Sequence, residues 1–275
     1  MPELPEVEVC RQGLLPGLKA QRITGCALRF PRLRREIPPD LATTLTGRRI
    51  DDIRRRGKYL LFACSDEHST GWLIIHLGMS GSLRFVDPDE APGKHDHFDL
   101  LAGGCTLRFC DPRRFGLIDW VPADGLADYP LLAGLGVEPL SGDFDGAWLF
   151  RSTRGRTTPI KPLLMDARQV VGIGNIYAAE SLFRAGIAPD LPAGRLSRAR
   201  CDRLAAEIRA TLLDAIAAGG STIRNYLHSD GSRGYFQVEV AVYDRAGLPC
   251  RQCGHLIGQM RQAGRSTFFC PICQQ

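Results

Sequence analysis

Four cysteines carry the clearest chemistry in this 275-residue chain. Cys250 and Cys253 form one Cys-x2-Cys pair, Cys270 and Cys273 form a second, and sixteen residues lie between the pairs. That pattern is the one expected of a four-thiolate zinc site. Each pair occupies a tight turn that aims two sulfurs at one ion. The segment between them can fold back as a β-hairpin turning near Gln262-Ala263-Gly264. Four protein sulfurs leave no open coordination position, so the expected cofactor is one structural Zn2+. A unit of roughly forty residues buries too little apolar surface to fold unaided, which is the physical need for the metal. Two disulfides or free thiols are the alternative. Arg261 and Arg265 flank the turn, either in reach of a phosphate or simply solvated.

Three further constellations invite chemistry. Gly172-Ile173-Gly174-Asn175 is a glycine turn feeding a helix. Its exposed N–H groups and positive dipole end suit an anion, or it is a plain tight turn with Asn175 as N-cap. Lys94-His95-Asp96-His97-x-Asp99 would place His95 and His97 on one strand face. No further ligand with clear spacing follows, so surface or phosphate-contacting histidines are favoured over a metal site. At the chain start, removal of Met1 before Pro2 would leave a secondary amine beside Glu3. A terminal amine titrates near about 7.7–8.0 and is partly neutral at cell pH. A neutral amine can attack a sugar C1′ and form an iminium ion, with Glu3 moving protons, although most chain termini are inert.

The elements that must position these groups are also legible. Hydrophobic residues make up 44% and charged residues 24%, ordinary globular usage. The net charge of +5 is modest, but basic residues cluster at 29–35, 48–58 and 151–161, as a polyanion partner or a solvated face requires. The first third reads as strands: Arg22–Phe30, Leu60–Ala63, Trp72–Leu77, Ser82–Val86, Phe98–Leu101, Thr106–Cys110 and Leu117–Val121, after a short helix at 5–15. Many short strands predict a β-sandwich. Helices follow at Asn175–Arg184 and Ser197–Ala218, the second with Cys201, Leu204, Ile208, Leu212 and Ile216 on one face. Residues 219–235 read as a mobile loop. The other six cysteines, Cys10, Cys26, Cys64, Cys105, Cys110 and Cys201, are expected to be reduced, buried thiols of a cytosolic protein. The acidic opening has no apolar h-region, so no signal peptide is expected. The longest apolar run, near Trp72–Leu77, is too short to span a bilayer. No nucleophile elbow or phosphate-loop motif occurs.

Taken in order, the motifs resemble one family, bacterial formamidopyrimidine-DNA glycosylase. They are Pro2-Glu3-Leu4-Pro5-Glu6, Arg56-Gly57-Lys58-Tyr59, His76-Leu77-Gly78-Met79-Ser80-Gly81, Lys94-His95-Asp96-His97, Asp111-Pro112-Arg113-Arg114-Phe115-Gly116, Ile160-Lys161-Pro162, Gly172-Ile173-Gly174-Asn175 and Gly264-Arg265-Ser266-Thr267-Phe268 with the four cysteines. The resemblance covers essentially the whole chain. Departures are small: Val9-Cys10, Gln12 and Ala167-Arg168 touch no proposed catalytic position.

The resemblance implies an α+β multidomain fold. It would comprise an N-terminal catalytic β-sandwich (1–130), a helix-two-turn-helix DNA-binding domain with a lesion-capping loop (131–235) and a C-terminal zinc-finger β-hairpin (236–275). It implies base-excision repair of oxidised purines by a bifunctional glycosylase and abasic-site lyase. Pro2 would be the nucleophile, Glu3 the proton donor, Lys58 and Arg265 the groups serving β- and δ-elimination. Lys161, Asn175 and Arg265 would hold phosphates, with His95, Arg113 and Arg156 as further DNA contacts. Met79, Arg113 and Phe115 would fill the gap left by a flipped base. The partner would be double-stranded DNA with oxidised bases, met by a cytoplasmic, nucleoid-associated monomer with no membrane contact. The rival is the related endonuclease for oxidised pyrimidines, whose opening has Gly-Pro in place of Leu4-Pro5.

Overall fold

A computed structural model describes residues 1–220 and 240–275 of the chain. The described residues divide into two compact units: 1–133 with Gly219 and Gly220, and 134–218 with 240–275. The expected loop at 219–235 falls almost wholly outside the described residues.

The first unit opens with helix α1 (Leu4–Leu18). Glu3 is its N-cap in a reciprocal capping box: the Glu3 carboxylate accepts the Glu6 N–H, and Glu6 Oε2 accepts the Glu3 N–H at 2.7 Å. The helix continues past its expected end at residue 15, because Pro16 lies in the last turn, where its missing N–H costs a single bond. Strands β1 (Ile23–Leu28), β2 (Arg49–Arg56), β3 (Tyr59–Ser65), β4 (Thr70–His76), β5 (Ser82–Val86), β6 (Asp96–Ala102), β7 (Cys105–Cys110) and β8 (Leu117–Pro122) form two antiparallel sheets, with a short helix α2 (Leu41–Leu45) between β1 and β2. One sheet has the order β1-β6-β7-β5, the other β2-β3-β4-β8. Alternate residues of both sheets meet in one core: Phe62, Leu73, Ile75 and Ile118 from one, Leu83, Leu100, Leu107 and Phe109 from the other, with Val7, Leu14 and Leu18 of α1. Each such side chain contributes about 1.5–3 kcal/mol by leaving water. This is the expected sandwich.

Strand β2 was hidden in the sequence by its charge. Its pairing with β3 shifts between Ile50 and Asp52, a bulge that puts Ile50 and Ile53 into the same core although they are an odd three positions apart. A second bulge, between Asp96 and Phe98, overturns the placement of His95 and His97 on one strand face. His95 precedes the strand, while His97 is 2% exposed and donates Nε2–H to the Asp111 carbonyl at 3.0 Å. His97 is therefore a satisfied core histidine, not a surface one.

The second unit holds helices α3 (Gly146–Thr153), α4 (Ile160–Leu164), α5 (Asn175–Arg184) and α6 (Arg198–Ala217), then the hairpin β9 (Gly258–Gln262) and β10 (Arg265–Phe269). Ser197 caps α6 by accepting the Arg200 N–H, and Gly219 and Gly220, with φ near +81° and +84°, follow its end. The hairpin turns through Ala263 (φ +46°) and Gly264 (φ +76°), two left-handed residues as a two-residue primed turn needs. Its core is small: Val242, Cys250, Ile257, Phe268 and Cys270 pack with Ala179 of α5. Among the described residues no helix is long and apolar enough to cross a membrane. Of the six scattered cysteines, Cys10, Cys64 and Cys201 are buried and Cys26, Cys105 and Cys110 only half-buried; none of the six is in a disulfide. Burial pushes the thiols of Cys26, Cys64 and Cys110 up to about 12.

Candidate active site and nucleic-acid interface

In the first unit, the chain start is enclosed by charge. Pro2 is buried, Glu3 is 2% exposed and the carboxylate of Glu6 is fully covered. The terminal amine, carried here by Met1, has its pKa lowered first by burial. Glu3 and Glu6 act to raise it, and Lys58 and Arg113 act to lower it further. Four side chains from three segments thus act on one amine. Lys58 reaches it from the tip of the β2–β3 hairpin. Arg56 pairs with Tyr59, so the turn has two residues, and Gly57 at φ +56° takes the left-handed position that a type II′ turn needs. Glu6 belongs to this cluster although its residue type alone does not mark it. Its spacing of three from Glu3 was the available signal, because that is the capping-box interval.

Two adjoining loops carry Met79, Arg113 and Phe115. Met79 is 40% and Phe115 46% exposed, and Arg113 lies over the Phe115 ring at 4.9 Å. Gly78 (φ +64°) makes the contact possible: a Cβ there would lie 2.4 Å from the Phe115 carbonyl carbon. His76 Nδ1 accepts the Gly78 N–H at 2.9 Å. Burial, then the charges of Arg34 and Lys58, lowers the His76 pKa to about 4, so the ring is neutral and Nε2 carries its proton. His95 is half-buried, and its Nδ1 has no hydrogen-bond partner among the described residues.

In the second unit, Lys161 is 1% exposed, and its ammonium donates to Asn175 Oδ1 (2.5 Å) and Thr267 Oγ1 (2.8 Å). Asn175 Nδ2 donates to the Ser266 carbonyl at 2.9 Å. Asn175 is therefore clamped between α4 and β10. This explains why Gly174, in extended conformation (φ −123°, ψ −155°), takes the N-cap of α5 that Asn175 was expected to fill. Thr267, invisible as a functional residue in the sequence, supplies the third corner. Arg265 is exposed at the start of β10 and borders a cavity of about 180 Å3 shared with Lys161, Met165 and Gln262. Arg156 is exposed; its Nε donates to the Ser152 carbonyl at 2.7 Å, and its nearest side-chain acceptor is Gln169 Oε1 at 3.4 Å.

The four cysteine sulfurs all lie within 4.8 Å of one another. Cys250 and Cys273 are 3.9 Å apart, Cys253 and Cys270 3.5 Å. A tetrahedral zinc with sulfurs about 2.3 Å away spaces them roughly 3.8 Å apart, so the set fits one structural zinc. Backbone N–H groups of Gln252 and Cys273 point at Cys250 and Cys270 sulfurs at 3.4 Å, as thiolate ligands require. Among the described residues this is the only cluster of metal-ligating side chains. Glu180 on α5, 4% exposed, accepts the N–H groups of Ala241, Val242 and Tyr243 at 2.8–3.0 Å and ties the approach to the finger onto the helix.

Comparison with known proteins agrees with this layout. Residues 1–118 match the formamidopyrimidine-DNA glycosylase N-terminal domain, 135–226 the formamidopyrimidine-DNA glycosylase H2TH domain, and 247–275 the zinc finger found in FPG and IleRS. The chain is 59% identical over 276 residues to the formamidopyrimidine-DNA glycosylase of Dechloromonas aromatica and 55% identical over 284 residues to that of Cupriavidus pinatubonensis, in each case covering 100% of both chains. Among solved structures it resembles a Lactococcus lactis FPG mutant in complex with Fapy-dG-containing DNA (TM-score 0.90, 37% identity, 100% of both chains). It also resembles the MutM (FPG) protein of Thermus thermophilus (TM-score 0.87, 42% identity, 99% of this chain and 98% of that one). The chain belongs to the formamidopyrimidine-DNA glycosylase family, base-excision-repair enzymes that also have abasic-site lyase activity.

Proposed function

We propose that this chain removes oxidised purines such as 8-oxoguanine and formamidopyrimidines from duplex DNA and then cuts the strand, with Pro2 as nucleophile. The observation that carries the assignment is the terminal amine depressed in pKa and surrounded by Glu3, Glu6, Lys58 and Arg113. After loss of Met1, the Pro2 nitrogen takes over that environment as a neutral secondary amine. Its lone pair attacks C1′ of the damaged nucleotide. The glycosidic bond breaks with its electrons on the base, and Glu3 supplies the proton. The Pro2 N–H proton passes to O4′ as the C1′–O4′ bond breaks, and this ring opening leaves an iminium ion that acidifies the C2′ proton. Loss of that proton expels the 3′ phosphate, a β-elimination served by Lys58. Arg265 serves the following δ-elimination.

The base must leave the stack first. Met79 and Phe115 are apolar wedges for the gap, and Arg113 offers donors to the cytosine left opposite. His95, Arg156, Asn175 and Arg265 meet phosphates. Lys161 adds its charge from beneath Asn175. Cys250, Cys253, Cys270 and Cys273 hold the zinc, which keeps the Arg265 hairpin in shape. We assign the activity to a cytoplasmic, nucleoid-associated monomer of three domains, 1–130, 131–235 and 236–275. Borohydride trapping on duplex containing 8-oxoguanine tests the reading. The wild-type protein forms a covalent adduct and Pro2→Gly forms none. Faster trapping on thymine glycol than on 8-oxoguanine would reassign the substrate to oxidised pyrimidines.

A further inference from the structure

Met79, Arg113 and Phe115 are exposed on two loops, so contacts among themselves, such as Arg113 over the Phe115 ring, do not alone fix their spacing. Something beneath them must, because unstacking a base step costs a few kcal/mol and a loose wedge would yield instead of the duplex. Both loops converge on one buried carboxylate. Asp111, directly after β7, is 0% exposed. Its Oδ1 accepts the Ser80 hydroxyl proton at 2.7 Å, and its Oδ2 accepts the Gly116 N–H at 2.7 Å. Ser80 Oγ in turn accepts the Arg113 N–H at 3.2 Å. The backbone of Asp111 is committed as well: its N–H donates to the His95 carbonyl at 2.9 Å, and its carbonyl accepts from Arg114 N–H at 3.2 Å and from His97 Nε2.

We propose that Asp111 is the positioning residue that locks loops 77–81 and 111–116 into a single wedge, with Ser80 as its relay to Arg113. The two carboxylate oxygens are divided between the loops, one to each. Charge-assisted bonds of this length in a dry site are among the stronger ones available to a protein. The arrangement has a direct consequence for specificity. Arg113 is the side chain placed to read the base opposite the lesion, and its own backbone N–H is held by Ser80. The clasp therefore sets how sharply the enzyme separates cytosine from adenine opposite the damage, without touching DNA itself. The proposal rests on the assignment of Met79, Arg113 and Phe115 as the gap-filling group.

The test is single-turnover excision of 8-oxoguanine opposite cytosine and opposite adenine by the full-length, zinc-loaded protein. Ser80→Ala lowers the cytosine-over-adenine ratio about tenfold, the size of one charge-assisted hydrogen bond. Ser80→Thr, which keeps the hydroxyl, restores the ratio to within about twofold. Asp111→Ala lowers it further; if that variant fails to fold, the two Ser80 variants decide the matter. An unchanged ratio in Ser80→Ala overturns the proposal. So does an equal loss of rate against both bases, the mark of general destabilisation. Absence of a borohydride adduct from the wild-type protein is a different result, since it removes the assigned reaction and not the clasp alone.

Discussion

The sandwich and the finger solve the problem of holding a polar group still in opposite ways. The sandwich surrounds its polar elements with a continuous apolar core running from Val7 of α1 to Phe109 of β7. Glu3, Glu6 and Asp111 are buried at its margin and kept there by backbone N–H donors. The finger has a core of a few residues and relies on four sulfurs gathered at metal-binding distance. One scaffold distributes its stability over many contacts. The other concentrates it at a point. Loss of one contact removes only part of the sandwich's stability, whereas the finger stands or falls with its metal.

The sharpest way to break this contrast is zinc removal. Structural zinc in small fingers is worth on the order of 10 kcal/mol. Chelation, or Cys270→Ser, should abolish protection of amides in 250–275 in hydrogen exchange while the strands of the sandwich keep theirs. Equal loss in both regions would end the comparison. Next in size is Phe109→Ala, a fully buried ring at the centre of the sandwich. It should lower unfolding free energy by about 3–5 kcal/mol in urea titration and leave metal analysis at one zinc per chain.

Acid adds a third test. In the folded chain His76 resists protonation until about pH 4, against an ordinary value of 6.5. The unfolded chain takes up its proton first, so stability present above pH 6.5 is lost as pH falls from 6.5 toward 4. His76→Gln should flatten that part of the urea-midpoint profile, and an unaltered slope would show that the ring is not the cause. The smallest effect lies in the hairpin turn. Ala263 adopts φ +46°, a conformation that disfavours a Cβ by about 1 kcal/mol. Ala263→Asn or Ala263→Gly should raise the finger's resistance to chelation slightly, read as a higher chelator midpoint.

The same contrast explains what the sequence disclosed. Cysteine spacing is legible because the chemistry resides in residue type and interval, and the hairpin turn fell where Gln262-Ala263-Gly264 predicted it. Strands with apolar alternation, such as Ser82–Val86, were legible for a similar reason, and so was α5, whose bounds match the glycine signals around it. What escaped depends on tertiary geometry. The bulge in β2 broke its alternation and left only a basic run. The bulge in β6 turned His97 inward. Thr267 and Glu180 work through partners roughly 60 to more than 100 positions away, at Lys161 and at 241–243. No local pattern marks a residue whose role is set by such partners.

In the proposed reaction the amine of Pro2 becomes bonded to deoxyribose. The most direct measurement is peptide mapping by mass spectrometry of the borohydride-reduced adduct formed on 8-oxoguanine duplex. The sugar remnant is expected on the Pro2 nitrogen of a chain lacking Met1. An adduct on Lys58 or another lysine, or an active protein that retains Met1, would contradict it.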